Sequence, residues 1–198
     1  MINSKEERDF YIKQDCIRNT GEECVGMIKM LLHCWYGNDT YRAFRYLRSL
    51  RNYEYALNCT NGLRGKMQRI LAKVRWHRLG AKYNVNVPPN VVGYGFRIPH
   101  LVGGVIINCK SMGNNCTANT GVVVGNNNKG GMAIIGNNVD LSIGCKVIGG
   151  VTIGDNVIVA PNSVVVKNVP ANAIVTGIPA VILKYQTTYN SNQNSNNE

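Results

Sequence analysis

Long apolar runs are missing from this 198-residue chain. None approaches the ~20 residues that cross a bilayer as a helix, which argues against a helical membrane protein. The first ten residues, MINSKEERDF, carry charges where a secretory signal would carry an apolar core, so that kind of leader is not expected. The seven cysteines include no CxxC pair and no metal-ligand spacing. That argues against a zinc site, and reduced thiols in a cytosolic protein are the expected state. Acid is scarce, with 11 Asp and Glu against 22 Lys and Arg, a net charge of +11. Histidine is scarcer: there are three, and only His100 lies beyond residue 83.

What is abundant is a period. From Ile135 to Pro170 the chain divides into IGNNVD, LSIGCK, VIGGVT, IGDNVI, VAPNSV and VVKNVP. The first residue of each block is aliphatic: Ile135, Leu141, Val147, Ile153, Val159 and Val165. The fifth is small or β-branched: Val139, Cys145, Val151, Val157, Ser163 and Val169. A strict hexapeptide period is a signature of a parallel β-helix. One aliphatic residue per block stacks into an interior column, the small fifth residue fits a tight corner, and Asn and Gly supply positive φ there. The competing reading, a β-sandwich of short strands, predicts variable spacing instead. Counted backwards, the phase is recovered at Val124, Ala118, Met112 and Ile106, after GNNNKGGMAI breaks it by five residues. An insertion of that kind loops out from one corner, a common place for function.

The first 83 residues have another texture. Residues 1–20 read as a polar lead-in or short helix. Thr20-Gly21-Glu22-Glu23 reads as the start of a helix over CVGMIKMLLHCW. Asp39 or Thr40 can cap a second, in which Phe44, Leu47 and Leu50 share a face and Arg45, Arg48 and Arg51 line an adjacent one. A break over 58–65 precedes a third, ending near Gly80, with Met67, Ile70 and Val74 as its apolar positions. Residues 42–82 hold eleven Lys and Arg and one acid, Glu54. Such a surface fits an anionic partner: membrane phospholipid, a lipid-linked sugar or a nucleotide sugar. No nucleic-acid motif is present, so nucleic acid is not expected. The plain alternative is a solvated face beside a subunit interface. The expected organisation is therefore a helical basic extension over 1–83, a β-helix over 84–184, and a disordered polar tail over 185–198.

The blocks IGDNV at 153–157, APNSVVVKNVP at 160–170 and TGIPAVILK at 176–184 resemble bacterial hexapeptide-repeat acyltransferases. IPHLVGGVIIN at 98–108, followed by the NNNKGG loop and IGNNV, narrows the resemblance to the serine acetyltransferase-like branch. That branch includes the O-acetyltransferases of capsule and lipopolysaccharide sugars, whose short basic extension the N-terminal part resembles loosely. The resemblance implies a mainly β fold, a left-handed parallel β-helix with a small N-terminal α-helical extension. It also implies a homotrimer with acetyl-CoA bound between neighbouring solenoids and no metal. The γ-class carbonic anhydrases share the solenoid but need three His around a metal, which one His in the repeat cannot supply.

The resemblance makes His100 the general base that takes the acceptor's hydroxyl proton, a task suited to imidazole. Strict counting by six from Ile106 leaves a second reading open, since it puts His100 in the inward column as a buried structural residue. Serine acetyltransferases carry an Asp before this His and a second His in the insertion; here those positions hold Pro99 and Met132. An orienting partner for His100 would be a backbone carbonyl, an Asn or an acid from the helices. For acetyl-CoA the matching positions are Ser142, Ile143, Ala160, Pro161, Val166, Lys167 and Lys184, with Lys129 a weaker candidate for the phosphates. Cys116 and Cys145 fall at the buried fifth position and Cys109 on a corner, so no cysteine is expected as a nucleophile. The expected activity is acetyl-CoA-dependent O-acetylation of L-serine or of a surface-polysaccharide sugar, in the cytosol or at the inner membrane face. The alternative is a non-catalytic trimeric scaffold or binding module.

Overall fold

The computed structural model describes residues 1–126 and 131–186. Lys129 and the polar tail from 187 onward lie outside the described residues. Four helices come first: α1 (Lys5–Thr20), α2 (Met27–Trp35), α3 (Asp39–Cys59) and α4 (Gly62–Tyr83). The expected loose lead-in is thus a 16-residue helix, with Ser4 capping its start by accepting from the Glu7 amide. Thr20 and Gly21 end this helix rather than open the next, because Gly21 takes φ of 77°, where a helix cannot continue. Asn38, not Asp39 or Thr40, caps α3; its side chain accepts from the amides of Thr40 and Tyr41.

After Asn84 the chain winds through β1 (Val85–Asn86), β2 (Val105–Ile107), β3 (Ser111–Met112), β4 (Thr117–Ala118), β5 (Val122–Gly125), β6 (Ile134–Ile135), β7 (Asp140–Leu141), β8 (Lys146–Ile148), β9 (Thr152–Ile153), β10 (Ile158–Val159) and β11 (Val164–Val165). A hairpin, β12 (Ala173–Gly177) and β13 (Ala180–Tyr185), ends it. Three sheets result: β1-β2-β5-β8-β11, β3-β6-β9, and β4-β7-β10-β12 with β13 antiparallel on its end. Successive strands of one coil belong to successive sheets, which is a parallel β-helix of triangular section. Tyr185, expected in the tail, is still in β13.

The register measures each coil. Asp140 pairs with Ile158 and Lys146 with Val164, both eighteen residues apart. Thr117 pairs with Asp140, twenty-three apart, so the insertion after Gly125 adds the five residues counted from the sequence. Both periodic columns face inward: Ile135, Leu141, Val147, Ile153, Val159 and Val165 are buried, as are Val139, Cys145, Val151, Val157, Ser163 and Val169. Positive-φ Asn138, Asn156 and Asn172 turn one set of corners. Their side chains form a ladder, Asn138 to Asn156 at 3.0 Å and Asn156 to Asn172 at 2.8 Å.

Two expectations fail upstream. Val105 pairs with Val122, seventeen residues away, so this coil is one residue short of the period and the phase slips. Val105 and Ile107 point inward and Ile106 is 45% exposed. Cys109, expected on a corner, is buried for the same reason.

The helices cap the solenoid's open end. The backbone of the first coil has no preceding coil to pair with, and side chains take its place. Tyr46 Oη accepts from the Val87 amide (3.0 Å), and Glu54 accepts from the Asn90 amide (2.7 Å). Arg51 donates to the carbonyls of Val92 (2.9 Å) and Gly93 (2.5 Å). Asp15 accepts from the Phe96 amide (3.0 Å), and Asn19 donates to the Phe96 carbonyl and accepts from the Ile98 amide. Asp15 and Glu54 also ion-pair with Arg51 at 2.8 and 3.0 Å, with all three side chains essentially out of water. Burial alone would lower the Arg51 pKa, but the two carboxylates outweigh it and hold the guanidinium above its ordinary value. Arg51, expected on a stripe beside the apolar face with Arg45 and Arg48, is thus fully buried.

Replacing Arg51 by Ala would strand two buried carboxylates and two carbonyls. A loss of about 3–5 kcal/mol in urea unfolding is expected. Arg48→Ala, at a half-exposed position, is expected to cost under about 1 kcal/mol.

Candidate active site

His100 sits where the chain passes from the third sheet to the first. Arg97 bridges to Thr117 and Val105 pairs with Val122, so the upper corner takes three residues more than the corner beneath it. The enlarged corner is Pro99 to Gly104. It is tied to the helices on either side of His100. Asn19 of α1 accepts from the Ile98 amide at 3.1 Å, and Asp39 at the start of α3 accepts from the Leu101 amide at 3.2 Å. Ile98 and Leu101 are buried and His100 is exposed. The inward position for His100 is therefore corrected: the phase slip and the extra residues carry it outward. Gly103 and Gly104 close the corner at φ of 92° and 77°. A Cβ on Gly103 would come within 2.9 Å of Thr120 Oγ1, and one on Gly104 within 2.8 Å of the Asn84 side chain.

The same corner continues down the solenoid. The Thr120 carbonyl accepts from Gly144 N at 2.9 Å, and the Ile143 carbonyl from Asn162 N at 2.9 Å. Pro99–Gly104, Asn119–Thr120, Ser142–Ile143 and Ala160–Pro161 therefore stack in four successive layers. Five candidates, His100, Ser142, Ile143, Ala160 and Pro161, share one edge of the prism. Ile143 is 48% exposed there, unlike the inward residues on either side. The remaining candidates lie elsewhere. Val166 and Lys167 follow β11, at the corner between the first and second sheets, and both are exposed. The insertion after Gly125 leaves from that same corner. Lys184 is exposed on β13, paired with Ile174.

Two residues emerge that sequence reading did not assign to the site. Asp39 read only as a possible helix cap, and its bond to Leu101 spans 62 positions. It is the acid from the helices nearest in the bonding pattern to His100, and it fixes the backbone on that residue's far side. The Thr120 hydroxyl is buried beside Gly103 and has no hydrogen-bond partner among the described residues. Nothing in the local sequence distinguishes Thr120 from other corner residues.

The solenoid thiols are inert by comparison. Burial pushes Cys109 and Cys145 up to about 12 and Cys116 up to about 11, so none forms a thiolate near neutrality. Among the described residues no group of three His, Cys, Asp or Glu could hold a metal ion.

Comparison with known proteins identifies the architecture. The structure superposes on serine acetyltransferase from Neisseria gonorrhoeae with a TM-score of 0.69 at 22% identity, covering 98% of this chain and 73% of that one. A serine acetyltransferase in complex with CoA gives 0.65 at 19% identity, covering 90% and 71%. The fold is the left-handed parallel β-helix of that class. In sequence, serine acetyltransferase from Buchnera aphidicola is 29% identical over 161 residues, 79% of this chain and 55% of the relative. That from Synechococcus elongatus is 31% identical over 134 residues, 66% and 51%. No family model matches the chain. The chain is a hexapeptide-repeat protein with the fold of the serine acetyltransferases and is similar to them in sequence. It spans about half the length of the curated relatives it matches.

Asp39→Ala is expected to speed hydrogen exchange at the Leu101 amide by at least about tenfold while leaving the Ile98 amide, held by Asn19, unchanged. Titration of the folded protein with a thiol reagent should label exposed Cys24 quickly. Cys109, Cys116 and Cys145 should react only after denaturation.

Proposed function

We propose that the protein transfers an acetyl group from acetyl-CoA to a hydroxyl, with His100 as the general base. One observation carries this reading. The solenoid's one His is exposed, held between two helix-anchored amides, on the edge that also bears Ser142–Ile143 and Ala160–Pro161. A base must be both reachable and fixed, and this frame provides both. His100 takes the hydroxyl proton as the oxygen attacks the thioester carbon. Backbone N–H groups of the coil hold the oxyanion. When the carbon–sulfur bond breaks, the imidazolium returns the proton to the leaving thiolate, and an O-acetyl ester and free CoA result.

Acetyl-CoA lies along the shared edge in this reading, its pantetheine arm against Ser142, Ile143, Ala160 and Pro161. Val166 and Lys167 reach it from the adjacent corner of a neighbouring solenoid in a homotrimer, and Lys184 meets the phosphates from the terminal hairpin. The CoA complex among the structural neighbours supports a groove of this kind. L-serine is the acceptor that the relatives' names support. A sugar hydroxyl of a surface polysaccharide is the second reading. Pro99 and Met132 favour it, because they stand where serine acetyltransferases carry an acid and a second His. Use of acetyl-CoA puts the reaction in the cytosol. The cations of residues 42–82 would serve an anionic surface or a lipid-linked acceptor at the membrane's inner face.

Thiol release from acetyl-CoA, measured with L-serine and with a panel of sugars, tests the proposal. Turnover with one acceptor should fall at least about a hundredfold in His100→Ala, the range of a lost general base. The variant should keep the trimer in sedimentation. No binding of acetyl-CoA by the wild type would leave a scaffold instead.

A further inference from the structure

The outer face of α4 is not explained by the fold. This 22-residue helix packs on α3 and the first coil through a single stripe of buried residues, Gly65, Trp76, Leu79 and Tyr83. Met67, Ile70 and Val74, read from sequence as its apolar positions, point away from the protein together with Leu63 and Leu71. Leu63 is 85% exposed, Met67 59%, Ile70 58%, Leu71 63% and Val74 42%. At helical spacing these five occupy one arc of about 100°, a continuous apolar stripe. Cations border it: Arg64 and Arg75 along one edge, Lys66 and Lys73 along the other, and Arg78 one turn beyond Val74. The helix holds seven Lys and Arg and no Asp or Glu. None of the seven joins an ion pair among the described residues.

We propose that α4 docks in the plane of an anionic phospholipid bilayer, with Leu63, Met67, Ile70, Leu71 and Val74 entering the acyl boundary and the flanking cations meeting lipid phosphates. An apolar stripe between two rows of cations is the arrangement that binds such an interface. Other occupants fit less well. Two copies of this face set against each other would oppose seven cations with seven and no acid in either helix, so charge opposes that pairing. Nucleic acid would satisfy the cations, but phosphates offer nothing to five exposed aliphatic and thioether side chains. Among the described residues no helix is long and apolar enough to cross a membrane, so the contact lies on the surface. The inference is independent of the transfer chemistry and survives if acetyl transfer fails.

Flotation of the full chain with vesicles tests it. The wild type should float at low salt with vesicles containing phosphatidylglycerol and not with phosphatidylcholine alone. Ile70→Glu with Leu71→Glu should reduce the bound fraction at least about tenfold, and so should Lys66→Glu with Lys73→Glu. All four positions are exposed, so thermal unfolding should match wild type. Leu63→Trp should add a fluorophore whose emission moves to shorter wavelength on the anionic vesicles. Thiol release with a soluble acceptor should be unchanged in Ile70→Glu with Leu71→Glu. Absence of wild-type flotation overturns the proposal. Binding that tolerates the two apolar-to-Glu changes reduces it to charge adsorption and overturns insertion. Release of the protein from vesicles by a small amount of duplex DNA would assign the face to nucleic acid instead.

Discussion

The organisation of this protein rests on the open end of a parallel sheet. Every coil of a β-helix pairs its backbone with the coil before it, and the first coil has none. Unpaired buried amides and carbonyls are costly, so something must stand in for the missing layer. Here the stand-in is made of side chains. Tyr46, Arg51 and Glu54 from α3, with Asp15 and Asn19 from α1, answer the first coil's polar groups at intervals close to those a strand would use. A guanidinium can donate to two successive carbonyls at once, and its charge lets two acids lie buried beside it. Removing either acid or the arginine therefore undoes the fit of both helices to the solenoid. The helical extension is in this sense the coil that the repeat lacks.

The candidate site depends on that same junction. His100 lies on the first coil, in the corner that follows the last of these surrogate bonds. Asn19 and Asp39 come from different helices and bracket it. The site's position is thus set by how α1 and α3 dock, and only secondarily by the repeat. The lower layers of the edge, Ser142–Ile143 and Ala160–Pro161, are set by the repeat alone, through the eighteen-residue register.

How much of this could be read from the sequence follows from the range of each interaction. The hexapeptide columns were legible because each residue's fate is fixed by neighbours one coil away in a constant period. The five-residue insertion was legible as a break in that count. The short coil between Val105 and Val122 was not, because one missing residue shifts the phase without leaving a local mark. This is why strict counting by six points Ile106 and His100 inward although both are exposed. Arg51 could not be told from Arg45 and Arg48, since its partners lie 36 positions away at Asp15 and on the backbone of another element. The apolar positions of α4 carried a true helical period, but a period does not say whether the protein or something else covers the stripe. The identity of His100 as the site's centre came from resemblance; its frame came only from the structure.

The two ends of the solenoid are finished in different ways, and together they decide its length. At the far end β13 turns back antiparallel onto β12, so the third sheet ends in a reversed strand that no further coil can match in direction. At the near end the helices occupy the place of a preceding coil. A stack of like coils is otherwise a template for its own extension, and one such molecule could add to the next end to end. With the third sheet ended by a reversed strand and the near end occupied by helices, end-to-end addition of like coils is opposed at both places.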